Sequence, residues 1–97
     1  MATADAPQPR AVVTSKSFEN DLKRLRKRGK DMVRLMAVIE ALRLGQPLEA
    51  RHHDHPLSGP WKGFRDCHVD PDWVLIYHLD DEALYLTRTG THSDLFR

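Results

Sequence analysis

This 97-residue chain has one cysteine, no apolar run of membrane length and almost no net charge. The lone Cys67 excludes an internal disulfide, so a reducing cytoplasm is the expected setting. No segment approaches the roughly 20 apolar residues that cross a bilayer. The opening M-A-T-A-D-A-P-Q-P-R lacks the apolar stretch of a signal peptide. Internal repeats are absent as well. With a formal charge of +1, the overall balance argues neither for nor against nucleic acid.

What is present suits one soluble domain: 40% hydrophobic and 30% charged residues. A chain of this size buries roughly two thirds of its unfolded surface. Charge is segregated along it. Lys16, Lys23, Arg24, Arg26, Lys27, Arg28 and Lys30 form a basic stretch opposed only by Glu19 and Asp21, while from Asp66 to Glu82 every charged residue is acidic. The basic stretch is either a solvated helix face or a phosphate-docking surface.

Residues 1–10, rich in Ala and Pro, read as a flexible extension, and residues 11–97 as the folded domain. Ala11–Thr14 suits a short strand. Ser17 is the expected cap of a helix carrying Phe18, Leu22 and Leu25, which Gly29 ends. Asp31 caps a second helix whose stripe is Met32, Leu35, Met36, Ile39 and Leu42, closed by Gly45 and Pro47. Residues 48–62 read as loop. Gly63–Val69 is a strand with Phe64, Asp66 and His68 on one face, and Asp70-Pro71-Asp72 is a turn. Trp73–Leu79, apolar on both faces, is the expected central strand. Ala83–Thr89 is the last strand, broken by Gly90 and followed by a tail ending near Phe96. The fold class is α+β: a small antiparallel sheet packed against an N-terminal helical hairpin.

Three histidines (His55, His68, His92) and Asp72 stand among these strands and turns. Metal-free RNA cleavage needs a base for the 2′-hydroxyl, an acid for the leaving 5′-oxygen, and cations for the charge on phosphorus. Imidazole suits the first two because its pKa of about 6.5 makes both forms available near neutrality. Asp72 suits proton transfer or the orientation of an imidazole; as a bare turn former it is equally ordinary. Arg65 and Arg88 suit phosphate, or pairing with the acidic turns. Lys23, Arg24, Lys27 and Lys62 are further candidate RNA contacts. Phe96 or Trp61 suits stacking on a base, and Phe96 also suits a plug over the sheet. His52, His53, His55, Cys67 and His68 invite a metal reading, but their spacing matches no tetrahedral Cys/His set, so no metal is expected. Cys67 suits a buried strand position better than a nucleophile.

At D-H-P-L-S-G-P-W-K-G-F-R-D-C-H-V-D-P-D-W-V-L-I-Y and R-T-G-T-H-S-D-L-F the chain closely resembles the YafQ branch of the RelE-like toxins, the toxin halves of bacterial type II toxin–antitoxin pairs. The likeness extends over roughly residues 12–97. It implies a RelE-like fold and a ribosome-dependent endoribonuclease that cuts mRNA in the A site without a metal or other cofactor. The family's functional positions fall on His55, His68, Asp72, His92 and Phe96. The resemblance implies Asp72 and His92 as the proton-transfer pair, His55 and His68 on the phosphate, and Phe96 placing the mRNA. The implied partners are a cognate antitoxin, the bacterial ribosome with its mRNA and, through the antitoxin, operator DNA; no membrane is implied. The alternative reading is a non-catalytic nucleic-acid-binding or antitoxin-corepressor module. The stretch 1–10 and the added imidazoles His52 and His53 depart from the family pattern.

Overall fold

The computed structural model describes residues 9–96. The expected flexible extension lies mostly outside the described residues. Its last member, Arg10, is tied down: its amide donates to the Arg43 carbonyl at 2.9 Å and its Nε to the Asp80 carbonyl at 2.8 Å.

The described chain forms β1 (Ala11–Thr14), α1 (Lys16–Lys27), α2 (Met32–Arg43), β2 (His55–Pro56), β3 (Arg65–Asp70), β4 (Trp73–Leu79), β5 (Ala83–Gly90) and α3 (His92–Leu95). The strands make one sheet in the order β1-β5-β4-β3-β2. The α+β class and the helical hairpin agree with the sequence reading. From β2 to β5 the pairing is antiparallel, but β1 joins β5 in parallel. The helical hairpin intervenes between β1 and the rest, which permits a parallel return that no local turn signal announces.

β4 is the middle strand, and Trp73, Val74, Leu75, Ile76 and Tyr77 are all fully buried. Its odd-numbered side chains join Cys67 and Val69 of β3 and Leu84 and Leu86 of β5 in a core with α1 and α2. Helix α2 contributes Leu35, Val38, Ile39 and Leu42, whereas Met36 is exposed. The stripe therefore runs through Val38 and not Met36, which lies about 100° round the helix from Leu35.

Several local expectations are corrected. Ser15 caps α1: its backbone is extended, and its hydroxyl accepts from the Phe18 amide at 2.9 Å. Ser17 already lies inside the first turn. Asp31 caps α2 as read. The stretch 48–62 is not plain loop. It holds a 3-10 turn at Ala50–His52, another at Gly59–Trp61, and β2, which pairs His55 with Asp66. Gly90 does not break β5; it pairs with Val74, and a Cβ there would meet the Asp94 side chain at 2.9 Å. The tail folds into α3, closed by reciprocal Thr91–Asp94 capping bonds. Among the described residues no helix is long and apolar enough to cross a membrane.

Candidate active site

Two carboxylates organise the end of the sheet that carries the histidines. Asp21 of α1 is almost fully buried and accepts from Arg88 Nε (2.7 Å), Arg24 (2.7 Å) and the Thr89 amide (3.0 Å). Burial pushes its pKa up, but the hydrogen bonds from Arg88, Thr89 and Arg24 outweigh this and hold it below the usual carboxylate value. Thr89 in turn accepts from Trp73 Nε1 and donates to the Val74 carbonyl, each at 2.9 Å. The end of β5 is thus locked to α1 and β4. Three residues beyond Thr89 stands His92. Asp94 fastens α3 by accepting from Arg28 at 2.9 Å and from the Thr91 amide at 3.0 Å. Those bonds, Arg28's first, keep Asp94 well below the usual carboxylate range.

His92 stands at the start of α3. Its Nδ1 and its amide lie 3.0 and 3.2 Å from Asp72 Oδ1. The two bonds from His92 lower the Asp72 pKa, and the nearby Lys30 adds to the effect. An Nδ1–H given to Asp72 leaves Nε2 as the nitrogen that exchanges protons with a substrate. The His68 ring meets the His92 ring edge-on, with centroids 5.3 Å apart, and the Phe96 ring lies 6.0 Å from His92. Burial lowers the His68 pKa; the imidazoles of His92, His53 and His55 add to this and Asp66 opposes it. Burial thus favours the neutral form of the His68 ring, the form that accepts a proton. His55, on β2, lies with Nδ1 2.6 Å from the His53 carbonyl and 3.2 Å from Asp66 Oδ1. The hydrogen bond is the one to the carbonyl, so Asp66 Oδ1 is buried with no hydrogen-bond partner among the described residues.

The structure thus gathers His55, His68, Asp72, His92 and Phe96 at one end of the sheet. The cationic candidates are engaged elsewhere or stand apart. Arg88 and Arg24 hold Asp21, Arg65 faces Asp54 at 3.4 Å, and Lys23, Lys27 and Lys62 are exposed on α1 and a turn. Trp61 packs edge-on against Phe64 at 5.5 Å. Cys67 is buried in the core, on the opposite face of β3 from His68, and burial pushes its thiol pKa far up. Among the described residues no three His, Cys, Asp or Glu side chains converge as metal ligands do.

Asp66 and His53 were missed as site residues. Asp66 lies two positions before His68 on the same strand face, a period-2 signal available in the sequence. Burial raises its pKa, against the pull of His55, His68 and His92. His53 meets the His68 ring at 5.5 Å; only the fold brings it there.

Known proteins match the chain in sequence and fold over nearly its whole length. A family model described as a bacterial toxin of type II toxin–antitoxin system, YafQ, matches residues 10–97. The mRNA interferase toxin YafQ of Escherichia coli K12 is 48% identical over 88 residues, which are 90% of this chain and 96% of that protein. The crystal structure of the E. coli DinJ–YafQ toxin–antitoxin complex superposes with a TM-score of 0.86 at 46% identity, covering 93% of this chain and 100% of that one. YafQ from E. coli strain BL21(DE3) gives 0.87 at 46% identity, covering 91% and 99%. With the family model, these relatives and the fold in agreement, the chain belongs to the YafQ family of toxins of bacterial type II toxin–antitoxin systems.

Proposed function

We propose that this toxin is an endoribonuclease that cuts mRNA in the ribosomal A site, using His68 and His92 as base and acid and no metal ion. The observation that carries the reading is the His68 ring set against the carboxylate-held His92 ring, centroids 5.3 Å apart. His68 takes the proton of the 2′-hydroxyl as that oxygen attacks phosphorus. The P–O5′ bond breaks, and His92 Nε2–H gives its proton to the departing oxygen. The products are a 2′,3′-cyclic phosphate and a 5′-hydroxyl. Asp72 holds the His92 ring through Nδ1 and leaves Nε2 free for the departing oxygen, so the aspartate and histidine act as one unit. This moves His68 from the phosphate-orienting role expected of it to proton transfer. His55 contacts the phosphate, and Phe96, beside His92, stacks on a base of the cut codon.

The toxin domain spans residues 11–97 and works in the cytoplasm. The basic side chains of α1, Lys23 and Lys27 among them, dock on ribosomal RNA. Arg65 and Arg88 brace the site through Asp54 and Asp21 in place of the direct phosphate contact expected of them. The restraining partner is an antitoxin, as DinJ is for the E. coli relative in its crystallised complex; operator DNA is reached only through it. Mapping mRNA 5′ ends in a translation reaction, with and without ribosomes, tests the reading. In-frame cuts that need ribosomes and vanish in His92→Ala are expected. Cleavage of naked RNA at the same rate contradicts the ribosome requirement, and no cutting by folded protein favours the binding-module alternative.

A further inference from the structure

The paired imidazoles His52 and His53 have no part in the scheme above, yet both are held against the site. His52 is buried, and its Nδ1 donates to the His68 carbonyl at 2.6 Å. That bond ties the 3-10 turn Ala50–His52 to β3 at the residue read as the base. His53 follows in the left-handed region, at φ +45°, where a residue other than glycine is held only by its surroundings. Its amide donates to the Ala50 carbonyl at 3.0 Å, and this geometry sets its ring against that of His68.

Beside His68 opens a cleft of about 500 Å³ walled by Arg34, Arg51, His52, His53, His68 and Asp70. Its lining charges are two guanidiniums against one carboxylate, and the His53 imidazole adds a donor. Asp70 already pairs with Arg34. Arg51 lies 3.2 Å from Glu49, but both side chains are about three-quarters exposed, at 73% and 74%. Exposed pairs of this kind are weak, so the guanidinium exchanges readily to an anion. A cleft with cationic and imidazole donors, opening directly off a phosphodiester-cleaving centre, is suited to another phosphodiester.

We propose that this cleft is a second phosphate subsite, in which Arg51 and His53 bind the phosphodiester adjacent to the scissile one in the same RNA strand. The identity of the strand rests on the nuclease reading above. The subsite fixes the register of the mRNA, so that His68 meets one particular 2′-hydroxyl. His52 is a positioning residue that holds the turn.

The test uses a 5′-fluorescein hexaribonucleotide, 2′-O-methylated throughout so that it cannot be cut, and the full chain without ribosomes. Fluorescence anisotropy gives its Kd from 50 to 200 mM salt for wild type, Arg51→Ala, Arg51→Lys and Arg51→Ala/His53→Asn. Asparagine tolerates the left-handed backbone, so the turn is kept. We expect the double variant to bind about 10-fold more weakly and its salt slope to fall by about 0.7 per lost phosphate contact. Arg51→Lys restores the slope. In single-turnover cleavage on programmed ribosomes the half-saturating toxin concentration rises by a similar factor. Wild-type Kd and slope in the double variant overturn the subsite, even where the protein cuts mRNA. A cleft-dependent slope in a protein that never cuts leaves the subsite standing and removes the nuclease. Weakened antitoxin binding with RNA affinity unchanged assigns the cleft to the protein partner and overturns the proposal.

Discussion

Replacing Asp21 with alanine is predicted to be the most damaging single change outside the apolar core. The carboxylate is 1% exposed and accepts four hydrogen bonds, two from Arg88, one from Arg24 and one from the Thr89 amide. Alanine leaves two guanidiniums side by side with no counter-charge and one buried amide without a partner. Removing one member of a buried ion pair costs about 3–5 kcal/mol. Arg88 and Arg24 are 29% and 39% exposed and can turn partly to water, which places the cost near the lower end, about 3 kcal/mol. A domain of this size has about 5–15 kcal/mol in all, so this is a large share. At about 4–8 °C per kcal/mol the melting temperature falls by about 12–24 °C. Urea unfolding followed by the fluorescence of Trp73, which donates to Thr89, measures it. Adding Arg88→Met to Asp21→Ala should recover more than about 1 kcal/mol, because it removes one stranded charge. The depressed Asp21 pKa gives the pH dependence its sign. Its contribution is complete above the unfolded carboxylate pKa of about 3.9 and is lost as pH falls through the lower folded value, so the difference between wild type and Asp21→Ala shrinks in acid. A loss under about 1 kcal/mol at pH 7, or additive single and double variants, would refute the assignment of Asp21 as the hub.

Gly90→Ala places a methyl 2.9 Å from Asp94. It is expected to displace α3 and cut cleavage at least about 10-fold, while ring-proton NMR shows the His68–His92 contact loosened; an unchanged His92 environment contradicts this. Asp72→Asn is expected to slow cleavage by about 10–100-fold with little change in melting temperature, because Asp72 is exposed and its hydrogen bonds among the described residues go to His92; parallel loss of stability and rate points to structure instead. Asp66→Asn is expected to raise the melting temperature at pH 7. Burial lifts the folded-state pKa of that carboxyl, so its ionisation penalises the folded state above about pH 4. The gain disappears at pH 3, and a fall in melting temperature at pH 7 refutes a net burial penalty.

The sequence was most legible where a residue's role follows from neighbours along the chain. Trp73–Leu79 is apolar at every position from Trp73 to Tyr77, which only a strand covered on both faces tolerates, and it is central. Asp31 sits two residues before the amide it caps. Non-local geometry was opaque. The parallel pairing of β1 with β5 joins segments some 70 residues apart, and no hairpin turn encodes it. Asp21 read as one of two acids opposing the basic stretch, since its partners Arg88 and Thr89 lie 67 and 68 residues away. Gly90 read as a breaker because nothing local reveals that its missing Cβ makes room for Asp94. In the site, the residues of the D-H-P-L, H-V-D-P-D-W and G-T-H blocks came together. Arg88, paired with a buried carboxylate, shows that a cation on a strand near histidines need not face the substrate.

The division of labour between His68 and His92 is tested most directly by an mRNA with sulfur in place of the bridging 5′-oxygen at the scissile phosphate. A thiolate departs without a proton, so only the acid becomes dispensable. On programmed ribosomes with the ordinary mRNA, His68→Gln and His92→Gln should each lose about 10²–10⁴-fold in single-turnover rate. With the sulfur substrate, His92→Gln should recover to near the wild-type rate and His68→Gln should remain slow. Persistence of the His92→Gln defect on the sulfur substrate would contradict the account, because it would leave the Asp72-held imidazole with no proton to give.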